Sequence, residues 1–240
     1  MKKIALVTGG TSGIGLATVE ALHRKGYVVI FTSSKSAASG EQIASQDRES
    51  LRYLQCDVTD REQIFNLKAN VVENYGRLDA LVNNAGYTEV VPHANFEGAT
   101  DDLWMKIFTT NVMGTWWMST QFYDLLKVDL GAIVNITSIA GLRPMGSSIP
   151  YSVSKAALNQ MTRLLAASME NVRVNAVAPG LIDTPWTESW DQLRENVRRV
   201  APLRRSGTPD DIAQVVVSVV ESLYLTGEVI AVDGGLTLKV

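Results

Sequence analysis

The chain has 240 residues, 46% of them hydrophobic, and its 22 Lys and Arg against 25 Asp and Glu give a net charge of −3. A chain of this length buries a large core, and no linker, repeat or low-complexity segment divides it, so we predict one domain over residues 1–240. The charge balance, with no basic stripe, argues against nucleic-acid binding, and no apolar run approaches the ~20 residues of a membrane span.

We therefore expect a cytoplasmic protein without nucleic-acid or membrane partners. The single cysteine, Cys56, cannot form an internal disulfide, in agreement with a reducing compartment. Beside Asp57, it reads as a small buried hydrophobe rather than a nucleophile. His23 and His93 are far apart and lack a carboxylate or cysteine cluster, so we expect no metal site.

Short apolar runs alternate along the chain with longer segments of helical periodicity. The runs lie near Ile4–Val7, Val28–Phe31, Leu51–Leu54, Leu78–Val82, Ala132–Ile136, Val172–Val177 and Val229–Val232. Strands that alternate with helices are typical of a parallel sheet covered on both faces. The pattern predicts an α/β fold with a doubly wound parallel sheet of about seven strands.

A glycine-rich turn follows the first run. Gly9, Gly13 and Gly15 stand there, and apolar residues at helical spacing continue to Gly26. Glycines let the backbone approach a pyrophosphate, and the free N–H groups and dipole of a helix start favour its negative charge. We predict a nucleotide-phosphate site at this turn.

The end of the second run bears on the choice of cofactor. Sites selective for NAD usually place Asp or Glu about 20 residues after the turn to hold the ribose 2′-hydroxyl. The chain has Thr32, Ser33, Ser34 and Lys35 at this place. These hydroxyls and the lysine suit the 2′-phosphate of NADP, so we favour NADP over NAD.

Tyr151 and Lys155 are one helical turn apart, and Ser138 precedes them. A tyrosine and a lysine at this spacing share a helix face. A neighbouring positive charge favours phenolate, so we expect Lys155 to lower the pKa of Tyr151 from about 10 toward the range of a general acid/base. The Ser138 hydroxyl would hold the same substrate oxygen.

Together these motifs resemble the classical short-chain dehydrogenase/reductase family over nearly the whole chain. Thr8-Gly9-x-x-x-Gly13-x-Gly15 is similar to its cofactor turn, and Asn83-Asn84-Ala85-Gly86 to its fourth-strand signature. Asn111, Ser138, Tyr151 and Lys155 resemble its catalytic tetrad, and Pro179-Gly180 with Ile182 and Thr184 its nicotinamide loop. The resemblance implies a Rossmann-type fold, usually assembled as a homotetramer or homodimer.

The resemblance also implies the cofactor contacts and the reaction. Its cofactor-binding positions are Thr8, Gly9, Thr11, Ser12, Gly13, Ile14, Gly15, Ser33, Ser34, Lys35, Asp57, Val58, Asn83, Ala85, Gly86, Tyr151, Lys155, Pro179, Gly180, Ile182 and Thr184. Asp57 is alternatively a helix cap. The implied reaction is reversible hydride transfer between the nicotinamide of NADP or NAD and a ketone or secondary alcohol. Lys155 would also hold the nicotinamide ribose, and Asn111 would position Lys155 through a water; a helix-interior amide is the alternative for Asn111.

A substrate pocket is expected around the reacting groups. Its candidate walls are Tyr87, Val90, Ala140, Leu142, Met145, Trp186 and Trp190. Trp186 and Trp190 have i, i+4 spacing and would share a helical face, in the pocket or at a core or subunit contact. We expect a mobile lid over about residues 181–205. Few cations flank the site, which favours a small ketone or cyclic alcohol.

Two other functions remain open from the sequence. One is a non-catalytic dinucleotide-sensing binding protein, which would have no need for Ser138, Tyr151 and Lys155 together. The other is an epimerase or dehydratase that retains NAD, although such enzymes usually carry a longer C-terminal portion.

Overall fold

The computed structural model describes residues 2–239, and in this range seven strands form one parallel sheet. The strands are β1 (Ile4–Val7), β2 (Val28–Ser33), β3 (Leu51–Gln55), β4 (Ala80–Asn83), β5 (Ala132–Ile136), β6 (Arg173–Pro179) and β7 (Val229–Val232). Their order is β3-β2-β1-β4-β5-β6-β7, and every neighbouring pair is parallel. The predicted doubly wound sheet is confirmed; β4 begins two residues later than the apolar run.

Helices connect the strands. They are α1 (Gly13–Arg24), α2 (Ala37–Ala44), α3 (Arg61–Tyr75), α4 (Asp101–Phe108), α5 (Gly114–Gln121), α6 (Tyr123–Leu126), α7 (Ile149–Ser168), α8 (Asp191–Val200) and α9 (Pro209–Glu221). A π-helical turn, Thr109–Met113, joins α4 to α5. Short 3₁₀ turns lie at Lys127–Asp129, Ile139–Gly141, Pro185–Thr187 and Leu236–Leu238.

Local sequence explains where several helices begin and end. The Asp60 side chain accepts from two N–H groups of the first turn of α3, and Gly76 ends this helix with a left-handed φ of +67°. Thr208 and Asp211 form a capping box at the start of α9, and Pro209 occupies its first turn, where the missing N–H is not needed.

The sheet is buried on both faces, which is why its strands read as continuous apolar runs. Side chains of β1 alternate between two cores: Ala5 and Val7 pack with residues of α1 and α9, whereas Ile4 and Leu6 pack with residues of α3, α5 and α7. β2 and β3 lie on one side of β1, and β4 to β7 lie on the other. The connections on the two sides of β1 therefore run in opposite directions, and a crevice opens between them at the carboxyl edge of the sheet.

Candidate active site

A cleft of about 1420 Å³ lies at this carboxyl edge. The predicted cofactor residues that line it are Gly9, Thr11, Ser12, Gly13, Ile14, Ser33, Ser34, Lys35, Asp57, Val58, Ala85, Gly86, Tyr151, Lys155, Pro179, Gly180, Ile182 and Thr184. Thr8, Gly15 and Asn83 are not among the lining residues. The loops after β1, β2, β3, β4, β5 and β6 therefore all contribute to one cleft.

The turn between β1 and α1 is shaped to bind phosphate. Gly9 and Gly13 have φ angles of +64° and +52°, in the left-handed region that favours glycine. A Cβ on Gly15 would overlap the Gly9 carbonyl oxygen and lie 2.5 Å from Asn84 Nδ2. The Ser12 side chain, at the N-cap of α1, makes no capping hydrogen bond. The residues therefore fit a dinucleotide, whose pyrophosphate would meet the N–H groups of this helix start.

Two side chains fasten the glycine turn to the end of β4. Thr8 Oγ1 accepts hydrogen bonds of 3.0 Å from the N–H groups of Asn84 and Ala85. Asn84 Nδ2 donates to the carbonyl oxygens of Thr8 and Gly9, again at 3.0 Å. Thr8 is buried, so its side chain holds the turn in place. Asn84 lines the cleft, although the sequence singled it out only as part of a motif.

The Asn83 side chain points into the protein instead of toward the cleft. Its Nδ2 donates to Ser119 Oγ at 3.0 Å and to Asn135 Oδ1 at 2.9 Å, in a buried network. β4 ends at Asn83, whereas Asn84 is the first residue after the strand and lines the cleft. Asn83, expected among the cofactor-binding positions, therefore does not turn its side chain to the cleft; it joins β4 to β5 and α5 instead.

The end of β2 offers two free side chains. Ser33 is buried, and its Oγ lies 3.0 Å from the Tyr53 hydroxyl and accepts from the Ser36 N–H. Ser34 and Lys35 are exposed and line the cleft. Of the residues expected around a 2′-phosphate, these two are accessible, whereas the Ser33 hydroxyl is already engaged.

Asp57 and Val58 line the same end of the cleft. Asp57 Oδ1 accepts from Thr59 N at 2.9 Å and Thr59 Oγ1 at 2.7 Å. The N-cap of α3 is Asp60, so the alternative reading of Asp57 as the helix cap is wrong. Cys56, just before, is buried, and burial raises the pKa of its thiol to about 12, which agrees with a packing role.

Ser138, Tyr151 and Lys155 meet in the middle of the cleft. Ser138 follows β5 and caps a short 3₁₀ turn, accepting from Ala140 N at 3.1 Å. Tyr151 lies in the first turn of α7, which Ser148 caps. Lys155 Nζ donates to the Ile136 carbonyl oxygen at 2.9 Å and lies 5.6 Å from the centroid of the Tyr151 ring. The three predicted groups are thus brought together.

Burial dominates the electrostatics of this group. It raises the pKa of Tyr151 above 10, and a hydrogen bond with Ser138 acts in the opposite direction. Burial lowers the pKa of Lys155 from 10.5 to about 8. The expected lowering of the Tyr151 pKa by Lys155 is not found, because desolvation disfavours the charged form of both side chains.

Asn111 lies in the π-helical turn and is completely buried. Its Oδ1 accepts from Tyr87 N at 2.7 Å, and its Nδ2 donates to Tyr87 O and Ser154 Oγ, both at 3.0 Å. A Cβ on Gly86 would lie 3.4 Å from Asn111 Oδ1 and 3.7 Å from Lys155 Nζ. Asn111 therefore fixes the loop after β4 beside Lys155; a water-mediated role toward Lys155 stays a prediction.

The segment after β6 lies over the glycine turn. Thr184 Cγ2 would be 3.2 Å from a Cβ on Gly13. Arg194 of α8 holds this segment: its Nε donates to Asp183 Oδ1 at 2.7 Å and its Nη2 to Thr187 O at 2.6 Å. Ser206 Oγ donates to the other Asp183 oxygen at 2.6 Å. The hydrogen bonds from Ser206 and Arg194 lower the pKa of the Asp183 carboxyl.

Five of the seven predicted pocket walls line the cleft, namely Val90, Ala140, Met145, Trp186 and Trp190. Tyr87 does not: its hydroxyl bonds to Glu89 and accepts from Lys106 Nζ at 2.7 Å. Leu142 is also outside the lining. Trp186 lies in a 3₁₀ turn and Trp190 precedes α8, so they do not share a helix face as expected.

The wall contains residues that sequence reasoning missed. They are Thr88, Val91, Pro92 and His93 after β4, and Gln192, Leu193, Glu195, Asn196, Val197 and Arg199 on α8, which the sequence placed only within the expected lid. The first group follows the Asn83–Gly86 motif closely in the chain, and this proximity to a predicted cofactor motif could have identified the group as part of the cleft wall. Nothing in the sequence distinguishes the second group from an ordinary amphipathic helix.

Comparison with known proteins gives a consistent result. A family model described as enoyl-(acyl carrier protein) reductase matches residues 9–237. The chain belongs to the short-chain dehydrogenase/reductase family. A protein of the granaticin polyketide synthase of Streptomyces violaceoruber, named as ketoacyl reductase 2, is 46% identical over 237 residues, covering 97% of this chain and 95% of that protein. The 3-oxoacyl-(acyl-carrier-protein) reductase of Thermotoga maritima is 36% identical, with 98% of both chains covered.

Solved structures of family members superpose closely. ElxO with NADP bound has a TM-score of 0.90 at 30% identity, and the match covers 99% of this chain and 100% of that one. A short-chain dehydrogenase/reductase from Brucella melitensis has a TM-score of 0.92 at 28% identity, covering 98% and 99%. The chain is an NAD(P)-dependent oxidoreductase that acts on carbonyl and hydroxyl groups. Neither of the two reductases named above is described as a sensor or an epimerase.

Within residues 2–239, no helix is long and apolar enough to cross a membrane. The same residues hold no group of three or more His, Cys, Asp or Glu side chains placed to bind a metal ion.

Proposed function

We propose that this short-chain dehydrogenase/reductase is an NADPH-dependent ketoreductase in which Tyr151 is the general acid. The observation that carries the proposal is the convergence of Ser138, Tyr151 and Lys155 in the cleft that also contains the glycine turn. This arrangement lets a ketone lie between a proton donor and a bound dinucleotide.

The proton steps follow from the side chains. Burial raises the pKa of Tyr151 above its ordinary value, so its phenol stays protonated at neutral pH and is ready to donate to a developing alkoxide. Ser138 stabilises the same oxygen through its hydroxyl. Lys155, fixed on the Ile136 carbonyl, presents its positive end toward Tyr151 and stabilises the phenolate left by proton transfer. In the oxidative direction the same groups act in reverse.

The glycine turn, Asp57, Ala85 and the segment Pro179–Thr184 would hold the cofactor. When bound, the nicotinamide supplies or accepts the hydride. Two observations support NADP over NAD: Ser34 and Lys35 are exposed at the end of β2 with no carboxylate beside them, and the relative ElxO has been solved with NADP and with NADPH.

The proposed substrate is a ketone on an acyl chain or a small ring. The two relatives described above are named as reductases of ketoacyl and 3-oxoacyl groups, and the walls beyond Tyr151 are largely apolar, with Met145, Trp186 and Trp190 among them. Residues 181–205 act as the lid of this one-domain enzyme. Arg194 holds its first part, and Val197 packs with Ile139 near the catalytic serine.

A homotetrameric or homodimeric assembly and a cytoplasmic location are also proposed. Large apolar side chains are exposed on neighbouring helices, including Met105 at 66%, Trp116 at 42% and Leu164 at 58%, which is the kind of surface that a subunit contact covers. The lone buried thiol of Cys56 agrees with a reducing compartment. Light scattering of the purified protein tests the assembly.

The decisive experiment measures NADPH and NADH oxidation by absorbance with small ketones, cyclic ketones and 3-oxoacyl esters. Tyr151→Phe should lower kcat on the order of 10²–10⁴-fold while NADPH still binds; a tyrosine-to-phenylalanine variant of ElxO has been solved with NADPH bound. Tyr224→Phe, at a fully exposed tyrosine, is the matched control. Full activity in Tyr151→Phe would refute the assignment of the general acid.

A further inference from the structure

His93 lies in the loop that follows β4 and lines the cleft. This loop is fastened to the loop before α7: Val91 N donates to Ser147 O at 2.8 Å, and the hydroxyls of Thr88 and Ser147 are 2.6 Å apart. Ser148, the next residue, caps the helix that carries Tyr151. His93 therefore stands on a wall whose position is fixed relative to the proton donor.

The His93 Nε2 atom is buried and has no hydrogen-bond partner within residues 2–239. Five other side-chain atoms in that range share this condition, in Thr32, Arg77, Asn83, Asn159 and Arg173. None of those five residues lines the cleft. An unpaired polar atom in the interior costs about 1–3 kcal/mol. His93 itself is only half-buried and lines the cleft. Because the χ2 torsion of histidine is soft, a rotation of the ring presents this nitrogen to a ligand in the cleft.

The largely apolar surroundings of His93 make this nitrogen one of the few groups there that could orient a ligand by a hydrogen bond. The cleft residues next to it on the chain are Val90, Val91 and Pro92, and those in the facing loop are Pro144, Met145, Gly146 and Ser147. The one side-chain hydroxyl among them, that of Ser147, is already paired with Thr88. Ligand sites of this kind are mostly apolar and use a few placed polar groups to fix orientation. An imidazole nitrogen donates to a carbonyl oxygen or accepts from a hydroxyl, depending on the tautomer.

The topology places His93 away from the reacting carbonyl. Ser138 follows β5, the His93 loop follows the neighbouring β4, and the lid follows β6 on the other side. A ketone oxygen held by Ser138 and Tyr151 therefore leaves the rest of the substrate between the His93 wall and the lid. A second oxygen on the substrate is the natural partner for His93.

We propose that His93 determines specificity by binding a second oxygen of the substrate, a carbonyl or hydroxyl separate from the ketone that is reduced. The proposal rests on the ketoreductase function and narrows its substrates to ketones with a second oxygen-bearing group. The bond is present both in the bound substrate and in the transition state, so it contributes to binding and appears in KM rather than in kcat.

A matched pair of ketones tests the proposal. Ethyl 3-oxobutanoate has an ester beside the ketone, and heptan-2-one has the same chain length without the ester oxygens. The wild-type enzyme should prefer the ester. In His93→Phe, which keeps a ring but removes the nitrogen, the ratio of kcat/KM for the ester to kcat/KM for heptan-2-one should fall about tenfold, mainly through KM. His93→Gln, whose amide reaches a similar place, should restore part of the ratio.

Each result has a separate meaning. An unchanged ratio in His93→Phe, with both ketones reduced as before or with both lowered equally, would overturn the proposal, because the imidazole would then only support the wall. A wild-type enzyme with no preference for the ester would also overturn it. If the wild-type enzyme oxidised NADPH with neither these ketones nor the rest of the ketone panel, the ketoreductase function itself would fail.

Discussion

Lys155→Met should abolish ketone reduction and yet stabilise the protein at neutral pH. Burial lowers the pKa of Lys155 from 10.5 to about 8. The difference corresponds to an unfavourable contribution of about 3 kcal/mol to folding at neutral pH, at ~1.4 kcal/mol per pKa unit. Methionine has a similar length and no charge. Its main disadvantage is that the Ile136 carbonyl loses its donor, which costs about 1–3 kcal/mol.

The pH dependence separates these two contributions. Below pH 8 the lysine is protonated in both the folded and the unfolded chain, and the full burial penalty is present. Between about pH 8 and 10.5 the folded state loses this proton before the unfolded state does, so the wild-type protein gains stability relative to the variant. The loss of the hydrogen bond does not vary with pH. The stability advantage of Lys155→Met should therefore shrink by about 2 kcal/mol from pH 7 to pH 10.

Urea denaturation followed by tryptophan fluorescence, at pH 7 and pH 10 without added cofactor, measures this change. Lys239→Met, at an exposed lysine, should show almost none of it. A difference in the free energy of unfolding between wild type and Lys155→Met that is the same at both pH values would refute the reasoning, since it would mean that Lys155 keeps an ordinary pKa in the folded protein.

Three further outcomes follow from the cleft. Gly15→Ala should weaken NADPH binding at least tenfold, about 1.4 kcal/mol, because the added Cβ overlaps the glycine turn. Gly26→Ala is the control: it has open space around it, its left-handed φ costs about 1 kcal/mol, and it should lower Tm only. Equal NADPH dissociation constants in the two variants would contradict this prediction. Ser34→Asp should reverse the cofactor preference toward NADH through repulsion of the 2′-phosphate, and unchanged dissociation constants for both cofactors would place that phosphate elsewhere. Arg194→Gln should raise KM for NADPH and speed proteolysis within residues 181–205, while Arg198→Gln, exposed on the same helix, should do neither; identical digestion patterns would remove the role of Arg194 in the lid.

The fold was open to prediction from the sequence because the sheet is covered on both faces. Most strands buried in this way are uninterrupted apolar runs, and most of the runs end near a glycine, an asparagine or a serine that takes the chain to the carboxyl edge; the third run ends in Gln55, Cys56 and Asp57 instead. The grouping of Ser138, Tyr151 and Lys155 was open to prediction as well, since the helical spacing of Tyr151 and Lys155 and the strand end before Ser138 favour their meeting in one cleft. Asn111 was expected only from the family resemblance.

Side-chain direction at strand ends and in loops was less accessible. Asn83 turned inward because a neighbouring buried serine and asparagine offered partners. Tyr87 turned outward toward Lys106. Trp186 and Trp190 have helical spacing, but a capping box at Thr184 and the following proline build a separate 3₁₀ turn around Trp186. These outcomes depend on residues distant in the chain or on local caps, which periodicity does not register.

The π-helical turn at Thr109–Met113 makes the segment from α4 to α5 intolerant of a change in length. It accommodates one extra residue within a continuous helical path. Each helical residue rotates the direction of the next side chain by about 100°. A single deletion there would therefore rotate the residues on one side of it relative to those on the other, and both sets could not keep their contacts. Either Asn111 would rotate away from the Tyr87 backbone, or the buried face of α5, with Thr115 and Met118, would rotate out of the core. Insertions and deletions should accordingly be tolerated in the loops around this segment and not within it.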